Sequence, residues 1–540
     1  MRALSGLDGA FLHLETPETP MHVASLHLFD LPAGYRGDFH TEIKRQMRQR
    51  IHLAPIFTRR LAPMPLQLAN PVWVEADKVD LDYHVQRVTL PAPGTQAQLE
   101  DCAGRLHGEL LDRSRPLWRV YTFDGLQSGQ VGYYIKVHHS VIDGQAGVLL
   151  AQALFDLAPK PAGIPAGVEH RAEHPGLAQL AAAALKHDAG QYVKLLRHLP
   201  DVVRTLAGMV GSVPQETKGQ LGQNFSFGPK TPLNVTITGE RGFAASSIPL
   251  DVLKRLAVRH EAKLNDIVLA LCSGALRRYL ARHGGVPKKP LIAAMPISLR
   301  EAGNTEYTTQ ATMSLVNLNT QIADPVKRLL AIRDAAGAVK ALARRAKGVL
   351  PTDFPSIGVP WILHGLASLY GRSHLASAIP PIANVVISNV PGPQVPLYAA
   401  GARMATYWPV SIPEHGVGLN ITVMSYAGAM GFGFTTARNA VPDASELTAA
   451  LAEALDELVA RSPGAPAGKP SRAAPKRASP RVAKPLKAAK PATATKASKA
   501  TKASKAAKVS KSAKPARSAR AARPVAPAVA RRGAARRAPA

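Results

Sequence analysis

Residues 137–144 read Val-His-His-Ser-Val-Ile-Asp-Gly, and they stand where a strand pattern gives way to a helix pattern. From 131 to 139 every second residue is apolar or aromatic, and His139 ends that series. Because alternate strand residues share a face, His139 should point inward and His138 should lie opposite it. Residues 147–157 are typical of a helix, and Gly144 permits a tight turn before it. We therefore predict a buried imidazole at the end of a strand.

A buried neutral imidazole suits general-base chemistry, although a histidine pair is more often structural than catalytic. Asp143 lies four residues after His139, so the loop can return it toward the ring, but Asp143 could equally be an N-cap. Other chemistries lack their motifs. The chain contains no G-x-S-x-G, H-E-x-x-H, P-loop or G-x-G-x-x-G segment. These absences disfavour a serine hydrolase, a zinc site and a nucleotide cofactor, so we expect neither a cofactor nor a metal.

Length and composition indicate an intracellular protein of more than one domain. The chain has 540 residues, 46% of them hydrophobic, which can build two or more cores. Its two cysteines match no metal or redox spacing, so we expect a reducing cytoplasm. The first residues show no apolar run of a secretory signal, and no uncharged run reaches the ~18 residues of a spanning helix.

The net charge of +30 is concentrated in a tail at residues 462–540, which hold 22 Lys and Arg and no Asp or Glu. Residues 1–461 carry 45 basic and 37 acidic residues, a net charge of +8. The tail is rich in Ala, Lys and Pro, and such a segment cannot bury enough apolar surface to fold. From Arg481 to Arg523 every third position is Lys or Arg, except Thr493. Because a three-residue step turns 300° on a helix, the charges would wind around every face, which excludes an amphipathic membrane helix.

The rest of the chain divides into three predicted regions. Residues 1–160 mix strands and helices, and residues 161–230 form a partly helical bridge. Residues 231–461 again alternate strands and helices. In that last region we predict a helix at 264–282, a strand at 383–388, a hairpin of 418–425 with 431–435, and a final helix at 443–458.

The segment 138–144 resembles the H-H-x-x-x-D-G signature of the CoA-dependent acyltransferase superfamily, which includes chloramphenicol acetyltransferase and peptide-synthetase condensation domains. An ordered series of further segments is similar to the bacterial wax ester synthase/diacylglycerol acyltransferase family. They lie at residues 4–11, 20–23, 111–118, 231–234, 264–266, 296–300, 384–393 and 418–422. Two departures are Ser140, where the family usually has Ala, and residues 436–438, where it usually has an Asp-bearing segment.

The resemblance implies an α/β fold of two chloramphenicol acetyltransferase-like lobes with mixed sheets, joined by the bridge, with a tunnel at their interface. It implies that His139 takes the proton from an alcohol, which attacks the thioester of acyl-CoA directly. In the same resemblance, His138 is the weaker candidate for the base. Asp143, which directly precedes Gly144, orients the loop through an arginine such as Arg300.

The resemblance also implies a set of substrate-binding residues: Asn265, Asp266, Pro116, Leu117, Trp118, Arg300 and Asn389. Helix capping is the alternative for Asn265, and core packing is the alternative for Trp118. The donor that stabilises the oxyanion is not identifiable from the sequence, with Thr422 or a backbone N–H as candidates.

The implied partners are acyl-CoA and a lipid alcohol, either diacylglycerol or a long-chain fatty alcohol. We expect peripheral attachment to the inner face of the membrane or to lipid inclusions, through residues 177–209 or 349–379, for which amphipathic packing is the alternative. The tail suits anionic lipid or non-specific nucleic acid. Two alternative functions are transfer to a different acceptor, as in condensation domains, and a polyanion-associating protein whose acyltransferase body is secondary.

Overall fold

The strands of the protein form three sheets, seen here in a computed structural model. The structure describes residues 2–4, 6–62, 70–142, 144–160, 227–298, 311–346 and 379–462, with isolated positions between 163 and 182 and between 369 and 377. These segments belong to one compact unit, Met1–Ser471. Most of the bridge, both predicted membrane segments and nearly all of the tail therefore lie outside the described residues.

The described helices number nine and alternate with the strands. In chain order they are α1 Gly6–Leu14, α2 Phe39–Arg50, α3 Leu81–His84, α4 Gln96–Gly108, α5 Gly144–Leu154, α6 Leu250–Arg259, α7 Leu264–Arg282, α8 Pro325–Ala346 and α9 Ser445–Ala460.

The described strands number sixteen. They are β1 Arg2–Ala3, β2 His22–Asp30, β3 Arg59–Ala62, β4 Val72–Glu75, β5 Val85–Thr89, β6 Trp118–Asp124, β7 Val131–His138, β8 Arg241–Pro249, β9 Ile292–Ser298, β10 Ala311–Asn317, β11 Val385–Val390, β12 Tyr398–Ala399, β13 Ala402–Met404, β14 Trp408–Val410, β15 Leu419–Tyr426 and β16 Ala429–Ala437.

One large sheet belongs to each half of the fold, and both are mixed. The first has the order β12-β13-β2-β7-β6-β5, with β14 also paired to β2, and the second has the order β10-β9-β11-β15-β16-β8. Parallel pairs join β5 to β6 and β11 to β9 and β15, and the other pairs are antiparallel. A small sheet, β1-β4-β3, stands apart. The predicted α/β class with mixed sheets is confirmed.

The chain crosses between the two halves near its C-terminal end. Strands β12, β13 and β14 follow β11 of the second sheet, yet β13 and β14 pair with β2 of the first. Residues 231–461, predicted as one lobe, therefore contribute strands to both sheets. This crossover places β14 and β15 beside one another at the junction of the halves.

Helix α7 is the central helix of the second core, and 13 of its 19 residues are buried. It packs against α9, where Arg278 and Arg282 pair with Glu457 at 2.9 Å and Glu453 at 2.7 Å. A helix that is apolar on most of its surface is one that other elements cover on most sides. The predicted helix at 264–282 is confirmed at both ends.

The folded part includes at least one residue that the sequence assigned to the tail. Ser462, assigned from the sequence to the tail, is 1% exposed, and its hydroxyl donates to Leu458 O at 2.7 Å and contacts His260 Nε2 at 2.7 Å. A buried hydroxyl with two partners belongs to the core rather than to a solvated tail.

No helix in the described segments is both long enough and apolar enough to cross a bilayer. Nor do they bring together three or more His, Cys, Asp or Glu side chains that could hold a metal ion.

Candidate active site

A cavity of about 430 Å³ lies between the two halves of the fold. A volume of this size falls within the range of ligand sites in proteins. Its wall is mainly apolar, and it draws on β2, β7, β14, α1 and α5 from one half and on β11 and β15 from the other. The apolar lining includes Phe11, Val23, Ile135, Val137, Ile142, Leu150, Leu154, Val386, Val390 and Met424.

His139 presents its imidazole to this cavity. It follows the last residue of β7 and begins a single 3₁₀ turn, His139–Val141. Its backbone N–H donates to Met21 O at 2.8 Å. The ring stacks on Phe11, with centroids 4.0 Å apart and planes 15° from parallel. Backbone and ring are thus both held, so the imidazole faces the cavity in a defined orientation.

His138 lies on the opposite side of the strand and is fully buried. Its Nδ1 accepts from the Ser140 N–H at 3.1 Å and lies 2.8 Å from the Ser140 hydroxyl. Because Nδ1 accepts from a backbone N–H, the ring hydrogen of a neutral His138 is on Nε2, which lies 3.3 Å from Glu15 Oε1. The Ser that replaces the family's usual Ala thus contacts His138 rather than the cavity.

Glu15 is the centre of a buried polar cluster behind the strand end. Its Oε1 lies 3.3 Å from Nε2 of both His22 and His138 and accepts from the Met21 N–H at 3.1 Å. Its Oε2 accepts from Arg113 at 2.8 Å. Burial alone would raise the pKa of Glu15, but the hydrogen bonds with His138 and His22 outweigh it and hold that pKa well below its usual range.

Burial lowers the pKa values of two histidines in and beside this cluster, His22 and His107. Burial lowers the pKa of His22 to about 4, although Glu15 opposes that change. His107, whose ring centroid lies 6.2 Å from that of His22, has its pKa lowered well below the usual value, also by burial. Sequence reasoning did not single out Glu15. The signal it offered was an acidic residue at the end of an apolar helix, just before Met21 and His22.

On the other wall, Asn389 lines the cavity and donates through Nδ2 to Asn265 Oδ1 at 3.3 Å. Within the described residues, the buried Asn265 Nδ2 makes no hydrogen bond. The structure therefore joins two predicted substrate-binding residues that are far apart in the sequence. Asn265 itself stands one contact back from the cavity, behind Asn389.

Asp266 does not take the predicted place at the substrate site. Its carboxylate accepts from the Lys263 N–H at 2.9 Å, so it closes the first turn of α7, and it is absent from the described cavity lining. A carboxylate at N3 that bonds back to the N-cap N–H satisfies one of the unpaired donors of a helix start. Capping, considered for Asn265, is thus performed by its neighbour.

The Pro116-Leu117-Trp118 segment is likewise not part of the described cavity lining. Trp118 is fully buried, donates from Nε1 to Phe57 O at 3.2 Å and stacks on His84 with centroids 4.2 Å apart. Leu117 O accepts from the His138 N–H at 3.0 Å. Trp118 therefore takes the alternative considered for it, core packing, where its indole finds both apolar neighbours and an acceptor for its N–H.

Of four further predicted residues, the structure places two, Gly144 and Thr422. Asp143 and Arg300 lie outside the described residues, and Gly144 is the first residue of α5. Thr422 lines the cavity, but its hydroxyl donates to Asn420 Oδ1 at 2.9 Å. Its hydrogen is therefore directed at a neighbour rather than at a bound oxyanion.

The chain matches two family models in succession. Residues 4–268 match the wax ester synthase/diacylglycerol acyltransferase catalytic domain, and residues 309–459 match the C-terminal domain of the same family. Together they span most of the segments whose resemblance was noted in the sequence.

Relatives and solved structures agree with this match. A candidate diacylglycerol O-acyltransferase of Mycobacterium tuberculosis is 35% identical, over 87% of this chain and 92% of its own. A second from that organism is 36% identical, over 84% of this chain and 99% of its own. The wax ester synthase/diacylglycerol acyltransferase from Marinobacter aquaeolei VT8 superposes with a TM-score of 0.62 at 30% identity, over 86% of this chain and all of that one. The first condensation domain of the calcium-dependent antibiotic synthetase has a TM-score of 0.52 at 16% identity, over 86% and 97% of the two chains, and shares the fold alone.

Proposed function

This chain belongs to the wax ester synthase/diacylglycerol acyltransferase family, and we propose that it moves a long-chain acyl group from acyl-CoA to diacylglycerol, to a long-chain fatty alcohol, or to both. The observation that carries the proposal is the His139 imidazole, held against Phe11 at the wall of a cavity shared by both halves. An imidazole suits proton transfer near neutral pH. Acyl-CoA is a co-substrate in this proposal, and no metal or cofactor takes part.

In the proposed reaction, His139 accepts the hydroxyl proton of the acceptor as its oxygen attacks the thioester carbonyl. A tetrahedral intermediate forms and collapses, the C–S bond breaks, and the departing CoA thiolate takes the proton back from the imidazolium. The products are an ester and CoA, and no acyl-enzyme is required. A positioned general base contributes roughly 10²–10⁴-fold to such a step.

His138 and the Glu15 cluster position His139, and His138 is not itself the proposed base. His138 is fully buried, and both of its ring nitrogens face protein atoms, namely those of Ser140 and Glu15. It cannot reach a substrate in the cavity from there. We therefore assign His138 a positioning role and keep Asp143 as a proposed orienting residue of the same loop.

The apolar wall of the cavity fits the hydrocarbon chains of both substrates. Side chains such as Ile135, Leu150, Leu154 and Met424 line it. Each methylene of a chain transferred from water to such a wall contributes about 0.8 kcal/mol. This gain favours long acyl chains over short ones, which supports a lipid acceptor over a small polar one.

The test is acyl transfer by the purified full-length protein. Palmitoyl-CoA is supplied with dioleoylglycerol or hexadecanol, and CoA release and ester formation are both measured. We expect ester from the wild type and from the control variant His52→Ala, which changes a histidine away from the cavity, and none from His139→Ala. Ester formation by His139→Ala at the wild-type rate would exclude His139 as the base.

For the tail we propose attachment to a polyanionic surface, with anionic phospholipid favoured by the lipid substrates. The tail contains 22 basic residues and no acidic residues. Each Lys or Arg near an anionic membrane contributes about 1 kcal/mol. Peripheral attachment to the inner face of the membrane or to lipid inclusions would follow.

A further inference from the structure

Glu414 brings a carboxyl group to the mainly apolar cavity. It lies in the turn of residues 411–418 that joins β14 to β15, where its backbone exchanges hydrogen bonds with Val417 at 3.0 and 2.9 Å. Gly416, with φ of +81°, gives the turn its sharp reversal. Among the described residues that line the cavity, Glu414 carries the only carboxyl group.

The turn runs toward the end of the cavity at which His139 lies. Strand β14 is antiparallel to β2, with Val410 opposite Ala24, while His22 at the start of β2 is opposite His138. The chain leaving β14 therefore moves toward the start of β2. A contact agrees with this direction, since Ser411 O accepts from His107 Nε2 at 2.9 Å, and His107 lies beside His22.

Nothing in the described part of the chain hydrogen-bonds to the Glu414 carboxyl or forms an ion pair with it. The Glu414 side chain is exposed at the cavity wall. The protein atoms around the cavity remove part of the bulk water from the carboxyl and so raise its pKa. A neutral carboxyl group can donate one hydrogen bond, and a polar group left without a partner in such a place is costly.

The two candidate acceptors differ in what they offer this group. A diacylglycerol carries ester carbonyl oxygens beside its reacting hydroxyl, and each can accept a hydrogen bond. A fatty alcohol has a single hydroxyl, which must lie at His139, so only hydrocarbon would remain to face Glu414. A bound acceptor displaces water from the cavity wall, so a site with a polar group on that wall discriminates against a ligand that leaves the group unpaired.

We propose that Glu414 is a specificity-determining residue, whose carboxyl donates a hydrogen bond to an ester carbonyl of the acceptor and so favours diacylglycerol over a fatty alcohol. This inference rests on the proposed acyltransferase function and adds the residue that selects between its two acceptors.

The test compares kcat/KM for dioleoylglycerol with kcat/KM for hexadecanol, with palmitoyl-CoA as donor. Four full-length proteins are measured: the wild type, Glu414→Leu, Glu414→Gln and the control Asp456→Leu, which makes a similar change on the exposed face of α9. We expect Glu414→Leu to lower the ratio of the two values about tenfold, or ~1.4 kcal/mol. Glu414→Gln should keep most of the ratio because its amide N–H still donates, and Asp456→Leu should keep all of it.

The possible results distinguish a failure of the Glu414 proposal from a failure of the proposed acyltransferase function. A loss in Glu414→Leu that is equal for both acceptors would indicate a structural role and overturn the inference, as would no change in the ratio. Either result would leave the acyltransferase function standing, because the wild type would still form ester. If the wild type formed ester with neither acceptor, both the function and the inference would be wrong.

Discussion

Two adjacent histidines occupy opposite environments because a strand alternates its faces. His139 reaches the cavity, whereas His138 is enclosed by Ser140 and Glu15. The parity of the strand predicts this division, but it does not predict what each ring meets. The Glu15 cluster joins the residue that follows α1 to His22 at the start of β2 and to His138 at the end of β7.

Changing Ser140→Ala should cost little, because the Ser140 backbone N–H still donates to His138 Nδ1. The loss of one neutral hydrogen bond is expected to lower the free energy of unfolding by about 0.5–1.5 kcal/mol. Urea denaturation measures that change, and ester formation measured alongside should stay within a few-fold of wild type. A loss of activity as large as that of His139→Ala would show that the hydroxyl acts in the reaction.

Stability should fall as the pH is lowered from about 6.5 to about 4. The pKa of His22 is about 4 in the folded protein against an ordinary 6.5, so the unfolded chain binds more protons in this window. The stabilisation from neutral, buried His22 is complete above its pKa in the unfolded chain, 6.5. It is lost as the pH falls toward the pKa in the folded protein, at about 1.4 kcal/mol per pH unit for one group. Buried His27 and His84, with pKa values of about 3 and 4, add slopes of the same sign, and they outnumber buried Glu100, whose pKa is raised to about 7 and whose slope has the opposite sign.

Urea midpoints at pH 7.5, 6.0 and 5.0 measure this slope. His22→Gln should make it shallower, whereas the control His52→Gln should leave it unchanged. A midpoint that is flat between pH 7.5 and 5.0 would contradict the prediction.

The second half of the chain reaches the cavity through strands β11, β14 and β15. Helix α7 stands behind them, where Asn265 contacts Asn389. The hairpin of β15 and β16 turns at Ala427 and Gly428, with φ of 43° and 86°. A two-residue turn with both φ values positive matches the twist of paired strands. Local turn chemistry thus explains why this hairpin was predicted within two residues of its observed ends.

The cap of α7 offers a test of the reassignment of Asp266. Asp266→Ala removes the acceptor of the Lys263 N–H and should lower the free energy of unfolding by about 0.5–2 kcal/mol. The KM for acyl-CoA and for the acceptor should stay within about twofold of wild type. The matched control is Asp456→Ala, an exposed position of α9 that should change neither quantity. A large rise in KM at unchanged stability would return Asp266 to the substrate site.

In the whole molecule, the folded part and most of the net positive charge lie in different stretches of the chain. The compact unit ends at Ser471, and residues 472–540 carry 21 of the basic residues. Because Ser462 is buried against Leu458 and His260, a truncation that removes it would damage the folded part. The boundary for removing the tail is therefore after Ser471.

A chain truncated after Ser471 should keep its turnover of detergent-dispersed substrates and lose much of its binding to vesicles that contain phosphatidylglycerol. Binding by the full chain should weaken steeply with added salt, since phosphate contacts release counterions. Co-sedimentation at several salt concentrations measures binding, and CoA release measures turnover. Loss of turnover on truncation would mean that the tail takes part in the chemistry, and tighter binding to DNA than to vesicles would change the partner.

Local patterns were enough for the α/β class, for helix 264–282, for the hairpin and for the inward position of His139 at the end of a strand. Each depends on periodicity or turn residues within about twenty positions. The sequence did not reveal the crossover of β12–β14, the Glu15 cluster, the Asn265–Asn389 pair or the carboxyl of Glu414 in the cavity. Most of these join residues more than a hundred positions apart. Their geometry follows from how the two sheets pack against each other, and no periodic pattern in the sequence predicts that packing.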